Sequence, residues 1–218
     1  MKQRNVLIAA AALLILALAT GVIVYKMQTD ERSASTAAQS RQALLRANAP
    51  SFGIADAPVH IVEFLDPACG TCRDFYPFVK GLMAAHPGKV RVTVRYAPFH
   101  AGSDQVVKVL EAAHRQGQFR QTLEALFAAQ PVWVLNHKAQ VDLIWPLLSG
   151  LGLDMERLRT DMNSTAVAQV VQQDLADANT LGVAMTPEFF VNGKPLPKFG
   201  YEDLKRLVED ALASAKTS

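Results

Sequence analysis

Apolar residues recur at changing intervals along this chain, and each interval predicts an element. Residues 6–25 carry no charge. As a helix rising about 1.5 Å per residue they would reach about 30 Å, the depth of a bilayer core. Residues 27–51 are rich in Ser, Ala, Gln and Arg, with few large apolar side chains, and read as a tether. Residues 59–65 are apolar at most positions, which predicts a central strand. Asp66-Pro67-Ala68 breaks it. From there Cys72, Phe75, Tyr76, Val79, Leu82 and Met83 fall at helical spacing, and Pro87-Gly88 closes that helix. Residues 90–96 alternate and predict a second strand. Strand, helix and parallel strand form a crossover unit, which is right-handed as a rule.

The pattern then changes. Residues 103–181 show helical character with no strand expected, in stretches at 106–114, 118–129 and 138–148. Asp154 and Ser164 are placed to cap two further helices. The second carries Val167, Val170, Val171 and Leu175 on one face, and Gly182 can end it. Trp133 and Trp145 read as packing residues. Residues 188–191, Asn192-Gly193 and residues 194–199 form a hairpin signal. Gly200 opens a last amphipathic helix with Glu202 and Asp203 in its first turn. The expected fold is α/β, a mixed sheet covered by helices with a helical block inserted at about 103–181. The expected divisions are a membrane segment at 1–26, a linker at 27–51 and a folded domain at 52–218.

Charge adds an orientation. Lys2 and Arg4 precede the apolar span, which favours a cytoplasmic N-terminus and an exported body. A cleaved signal peptide, with Ala17-Leu18-Ala19 at the cleavage site, is the competing reading. Apolar character continues past Ala19 to Tyr25, which favours an uncleaved anchor. A formal net charge of +2 argues neither for nor against an anionic partner, and the lack of a basic stripe interleaved with aromatics argues against nucleic acid.

The candidate chemistry is Cys69-Gly70-Thr71-Cys72, which holds the only two cysteines in 218 residues. A helix N-terminus stabilises a thiolate through its positive end and unpaired N–H groups. Cys69 therefore reads as an exposed, low-pKa nucleophile and Cys72, one turn on, as the resolving thiol. A zinc site would want a second ligand pair, and His60, His86, His100, His114 and His137 are scattered. Haem attachment would need His after Cys72, where Arg73 stands. A purely structural disulfide over so short a loop would restrict the unfolded chain little.

The order of elements, Cys69-Gly70-Thr71-Cys72 after a strand and Thr186-Pro187-Glu188-Phe189-Phe190-Val191-Asn192-Gly193-Lys194 before the last helix together resemble a thioredoxin fold. The resemblance is closest to the DsbA-like thiol–disulfide oxidoreductases, in which helices are inserted. It implies a redox-active Cys69–Cys72 disulfide and a cis-proline at Pro187 facing it. It also implies a substrate-touching position at Thr186 and a buried acid at Glu63 that exchanges a proton with Cys72. Gly70 and Thr71 match the dipeptide between the cysteines, where strongly oxidising members commonly have Pro-His. Thr71 is placed to donate its hydroxyl or N–H to the Cys69 sulfur. Glu188 stands where a small Thr or Ser is usual, and its charge is expected to disfavour the Cys69 thiolate or repel acidic substrates. The resemblance further implies protein thiols or disulfides as substrates and a membrane redox partner, either a quinone-linked oxidase or a reductase. It points to a monomer without cofactor or metal, on the periplasmic side of a bacterial inner membrane. The alternatives are a reductase or isomerase of the same fold, or a tethered peptide- or metal-binding module.

Overall fold

The computed structural model of the protein describes residues 26–28, 35 and 38–216. The apolar span 6–25 and its cleavage site lie outside the described residues. Among those described, no helix is long and apolar enough to cross a membrane.

A folded unit runs from Ala43 onward. In chain order it contains strands β1 (Ser51–Phe52) and β2 (Val59–Leu65), helix α1 (Gly70–Ala85) and strand β3 (Val90–Tyr96). Then come α2 (Ser103–His114), α3 (Phe119–Ala128), the single turn α4 (Gln130–Trp133), and β4 (Val134–Leu135) with β5 (Lys138–Ala139). Helices α5 (Met155–Met162) and α6 (Thr165–Thr180) follow, then β6 (Glu188–Val191), β7 (Lys194–Pro195) and α7 (Tyr201–Ala215). Among the described residues, β1-β3-β2-β6-β7 form one sheet. β2 and β3 run parallel, with Ile61 opposite Val92 and Glu63 opposite Val94, and the other pairs are antiparallel.

Local chemistry explains most boundaries. Asp154 accepts the N–H groups of Glu156 and Arg157, and Ser164 that of Val167, so both caps act as their residue types dictate. Gly182, at φ 72°, ends α6. The helix expected at 138–148 is absent. Asn136 and His137 adopt left-handed φ (52° and 59°), the two-residue turn of a hairpin, and join β4 to β5. Two 3-10 turns, Val141–Leu143 and Trp145–Leu148, follow instead, the second containing Pro146, which has no N–H to donate. The second arm of the late hairpin is shorter than the expected 194–199, because Pro195 and Pro197 cannot feed a ladder. At the front the fold begins before residue 52: Ala43 and Leu44 are buried, and Arg46 pairs with Asp177.

One face of the sheet is covered by α1 and α7. Phe75 of α1 stacks on Tyr201 at 4.1 Å and lies 5.5 Å from Phe189 of β6. Leu65, Val94 and Tyr96, at the ends of β2 and β3, join the core of the inserted helices around Leu110, Leu123, Leu126 and Trp133. On the other face α6 packs over β3. There Arg95, fully buried, donates to Asp174 at 2.9 and 2.6 Å, to Asp177 at 2.6 Å and to the carbonyl of Ala43 at 2.6 Å. Asp174 also accepts the Tyr96 N–H at 2.7 Å, and Arg46 grips Asp177 through two bonds of 2.7 Å. A buried charge stripped of its partners is costly. Arg95→Leu is therefore expected to lower stability by about 3–5 kcal/mol in urea unfolding. A loss below about 1 kcal/mol would show that water or rearrangement satisfies the two aspartates.

Candidate active site

The strand β2 ends in a loop whose backbone is held from several directions. Asp66, fully buried, accepts the N–H of Ala68 at 2.8 Å, the N–H and Nδ1 of His100 at 2.8 Å each, and the Ser103 hydroxyl. The Asp66 carbonyl takes the Cys69 N–H at 3.0 Å. From the inserted block, Gln130 Nε2 donates to the carbonyls of Pro67 at 2.8 Å and Cys69 at 3.0 Å. These contacts join the β2–α1 loop to the β3–α2 loop and to α4.

Cys69 is the N-cap of α1, and its sulfur accepts the N–H of Cys72 at 3.4 Å. Both cysteines are free thiols; Cys69 is 6% exposed and Cys72 fully buried, so Cys69 is far less open than its expected role suggested. The Cys69 thiol also donates to the carbonyl of Thr186 at 3.2 Å, and the Thr186–Pro187 peptide is cis. Gly70 and Thr71 form the first turn of α1. The Cys69 thiol is lowered to about 5, chiefly by its hydrogen bond with the Cys72 side chain. Burial opposes this, while the backbone N–H of Cys72, the Thr186 side chain and the backbone N–H of Thr71 add to it. Cys72 moves the other way, well above the usual thiol range, because of burial first and then the neighbouring sulfur and Glu63. The two thiols of one pair are thus driven apart.

Glu63 stands on β2, 1% exposed, and its Oε1 has no hydrogen-bond partner among the described residues. Burial, then the charge on Cys69, pushes its carboxyl up to about 8. Glu188 lies away from the Cys69 sulfur, on the other face of its strand. Alternation along β6 puts its side chain on the Phe190 face, whereas Phe189 faces α1. Its own carboxyl is raised by burial, and it is not among the groups that shift Cys69. Sequence reading missed Asp66, which it took only as a strand breaker, and Gln130. A polar residue at the end of an apolar strand, and an amide inside a Pro- and Trp-containing turn, were the available signals.

A cleft of about 510 Å³ adjoins the pair, with Ala68, Gly70, Arg73 and His100 on one side and Gln130, Pro131, Val134, Asn136 and His137 on the other. Among the described residues, no three His, Cys, Asp or Glu side chains gather closely enough to hold a metal ion.

A thiol pair at the head of a helix, facing a cis-proline at the same end of a mixed sheet, is the arrangement of the thioredoxin family, and the chain belongs to it: a family model described as thioredoxin matches residues 46–210. In structure it is similar to a thioredoxin-like oxidoreductase from Silicibacter pomeroyi DSS-3, at 31% identity and a TM-score of 0.68, covering 82% of this chain and 98% of that one. It is 33% identical over 144 residues to a Na(+)/H(+) antiporter NhaA of Herminiimonas arsenicoxydans, a match that covers 66% of this chain and 22% of that protein, so the chain spans about a fifth of that relative. It is also 25% identical over 224 residues to a probable disulfide bond formation protein D of Bacillus anthracis, covering 97% of this chain and 99% of that protein.

Two titrations test the site. Thiolate absorbance of the reduced protein should show Cys69 ionising with a midpoint of about 5 while Cys72 stays protonated. A midpoint near 9.0 for Cys69 would remove the electrostatic description above. Glu63, raised from 4.5 to about 8, binds more protons in the folded than in the unfolded chain between those values. Its contribution therefore falls as pH rises through that window. Glu63→Gln should gain stability over the wild type by about 1.4 kcal/mol per pH unit there, and no further change should accrue above it. A pH-independent difference would contradict the buried acid.

Proposed function

We propose that the chain is an exported thiol–disulfide oxidoreductase that exchanges disulfides with protein substrates through Cys69 and Cys72 and supports oxidative folding. The observation that carries the reading is the Cys69 sulfur, held by the Cys72 N–H at the head of α1 and facing the cis Thr186–Pro187 peptide. The full-length similarity to a probable disulfide bond formation protein supports the oxidising direction.

In that direction the pair starts as a disulfide. A substrate thiolate attacks the Cys69 sulfur, the Cys69–Cys72 bond breaks, and Cys72 leaves with the electron pair. Its high proton affinity draws a proton at once, and Glu63, protonated at neutral pH, is the nearby buried acid that supplies it. The substrate's second thiolate then attacks the substrate sulfur of the mixed disulfide and expels Cys69, which leaves readily as a stabilised thiolate. The substrate gives up two electrons and the protein holds them as a Cys69 thiolate and a Cys72 thiol. A thiolate stabilised in the reduced form makes the disulfide more oxidising, by about 30 mV for each tenfold in equilibrium constant. Thr186 and Pro187 offer an edge against which an extended substrate chain lies beside Cys69. Gly70 keeps the approach to the sulfur open. The span 6–25 anchors the protein in the inner membrane, and the folded unit that begins at Ala43 is a periplasmic domain that acts as a monomer. A quinone-linked membrane enzyme reoxidises the pair.

Equilibration of the purified folded unit with glutathione gives the direction. A reduction potential near about −120 mV is expected for a disulfide donor, and one near about −270 mV would make the protein a reductase. In Cys72→Ala, substrates should accumulate as mixed disulfides on Cys69. A variant that traps none while binding peptide would replace exchange with simple binding.

A further inference from the structure

One side chain of the inserted block reaches the backbone that carries the thiol pair. Gln130 is 3% exposed, at the head of α4. Its amide donates to the carbonyls of Pro67 and Cys69, two residues apart on the loop that delivers Cys69 to α1. The Pro67 residue is buried, and a buried carbonyl needs a donor. The Cys69 carbonyl already accepts the Arg73 N–H at 3.2 Å, the first bond of α1, so Gln130 fills its second acceptor position. Gln130 is itself fixed from behind. Trp133, three residues on and fully buried, donates its indole N–H to the Leu126 carbonyl at 2.8 Å and locks α4 onto the end of α3.

We propose that Gln130 is a positioning residue for Cys69, through which the helical insertion sets the reactivity of the thiol pair. It acts at one remove. The N–H groups of Cys72 and Thr71 stabilise the Cys69 sulfur only while the loop 66–69 holds that sulfur over the first turn of α1. The Asp66 carboxylate fixes the loop at the Ala68 N–H, and the Gln130 amide fixes it at two carbonyls. Without the amide, the Pro67 carbonyl must turn to find water, and the Cys69 backbone turns with it. Gln130 also lines the cleft beside the pair, so a chain lying there meets the same side chain that holds the loop.

Gln130→Met keeps the length and volume of the side chain and removes both donors. The expected result is a folded protein in which the Cys69 midpoint rises by about one pH unit or more, the equivalent of one weakened hydrogen bond to a charged group. Its equilibrium with glutathione should become about tenfold less oxidising, which is about 30 mV. Thr122→Val, which removes a buried hydroxyl bonded to the Gln118 carbonyl within the same insertion, serves as the comparison. It should lower stability and leave the Cys69 midpoint in place. A second measurement needs no variant: in the wild-type protein labelled with nitrogen-15, the Gln130 side-chain amide resonances should titrate with the Cys69 midpoint and move on oxidation of the pair. A wild-type Cys69 midpoint near 9.0 overturns the functional reading together with this one. A low wild-type midpoint that Gln130→Met leaves unchanged, or Gln130 resonances indifferent to both titration and oxidation, overturns this inference alone.

Discussion

The structure depends on a sulfur placed at the positive end of a helix. Everything around Cys69 serves to hold it there. The N–H groups of the first turn of α1 turn toward it, and α1 is held to the sheet by the Phe75, Phe189 and Tyr201 rings. The loop before it is fixed from within by Asp66 and from the inserted block by Gln130. Helix termini lend their partial charge only within about a turn, so a displacement of the loop would forfeit the effect. The carboxylate, the amide and the aromatic stack thus share one task, though they lie on three different parts of the fold.

The thiol pair is built from an asymmetry of environment and not from two unlike residues. Cys69 meets donors and Cys72 meets burial, a neighbouring sulfur and an acid whose Oε1 has no hydrogen-bond partner among the described residues. Glu63 would be a poor choice for stability alone, since an unpaired carboxyl in an apolar strand is a cost. Under the exchange mechanism proposed above, its charge acts on Cys72 as that of a proton reservoir for a thiol that must change charge away from water. On the far face of the sheet the Arg95 cluster pairs its charges closely.

Much of this was legible in the residues, and the failures have physical causes. The strands β2 and β3 announced themselves through apolar run and alternation, and α1 through its stripe. The caps at Asp154 and Ser164 and the stop at Gly182 were visible because those residue types act locally. The 138–148 segment misled because apolar spacing does not register that Asn136 and His137 can both turn left-handed. Glu188 misled because nearness in sequence to Pro187 says nothing of which face a strand residue takes. Asp66, Gln130 and Arg95 were hidden for a common reason: each is a polar residue whose meaning lies in a partner far along the chain, as Arg95 with Asp174 and Asp177 shows.

The sheet ends on both sides in strands of two residues, Ser51–Phe52 and Lys194–Pro195. An edge that short offers few unpaired backbone groups, and the proline on one of them removes a donor. A protein that handles unfolded polypeptide, as proposed here, is surrounded by extended segments seeking a sheet to join. Blunt margins deny them that template, so a client can be met at the thiol and let go without becoming another strand.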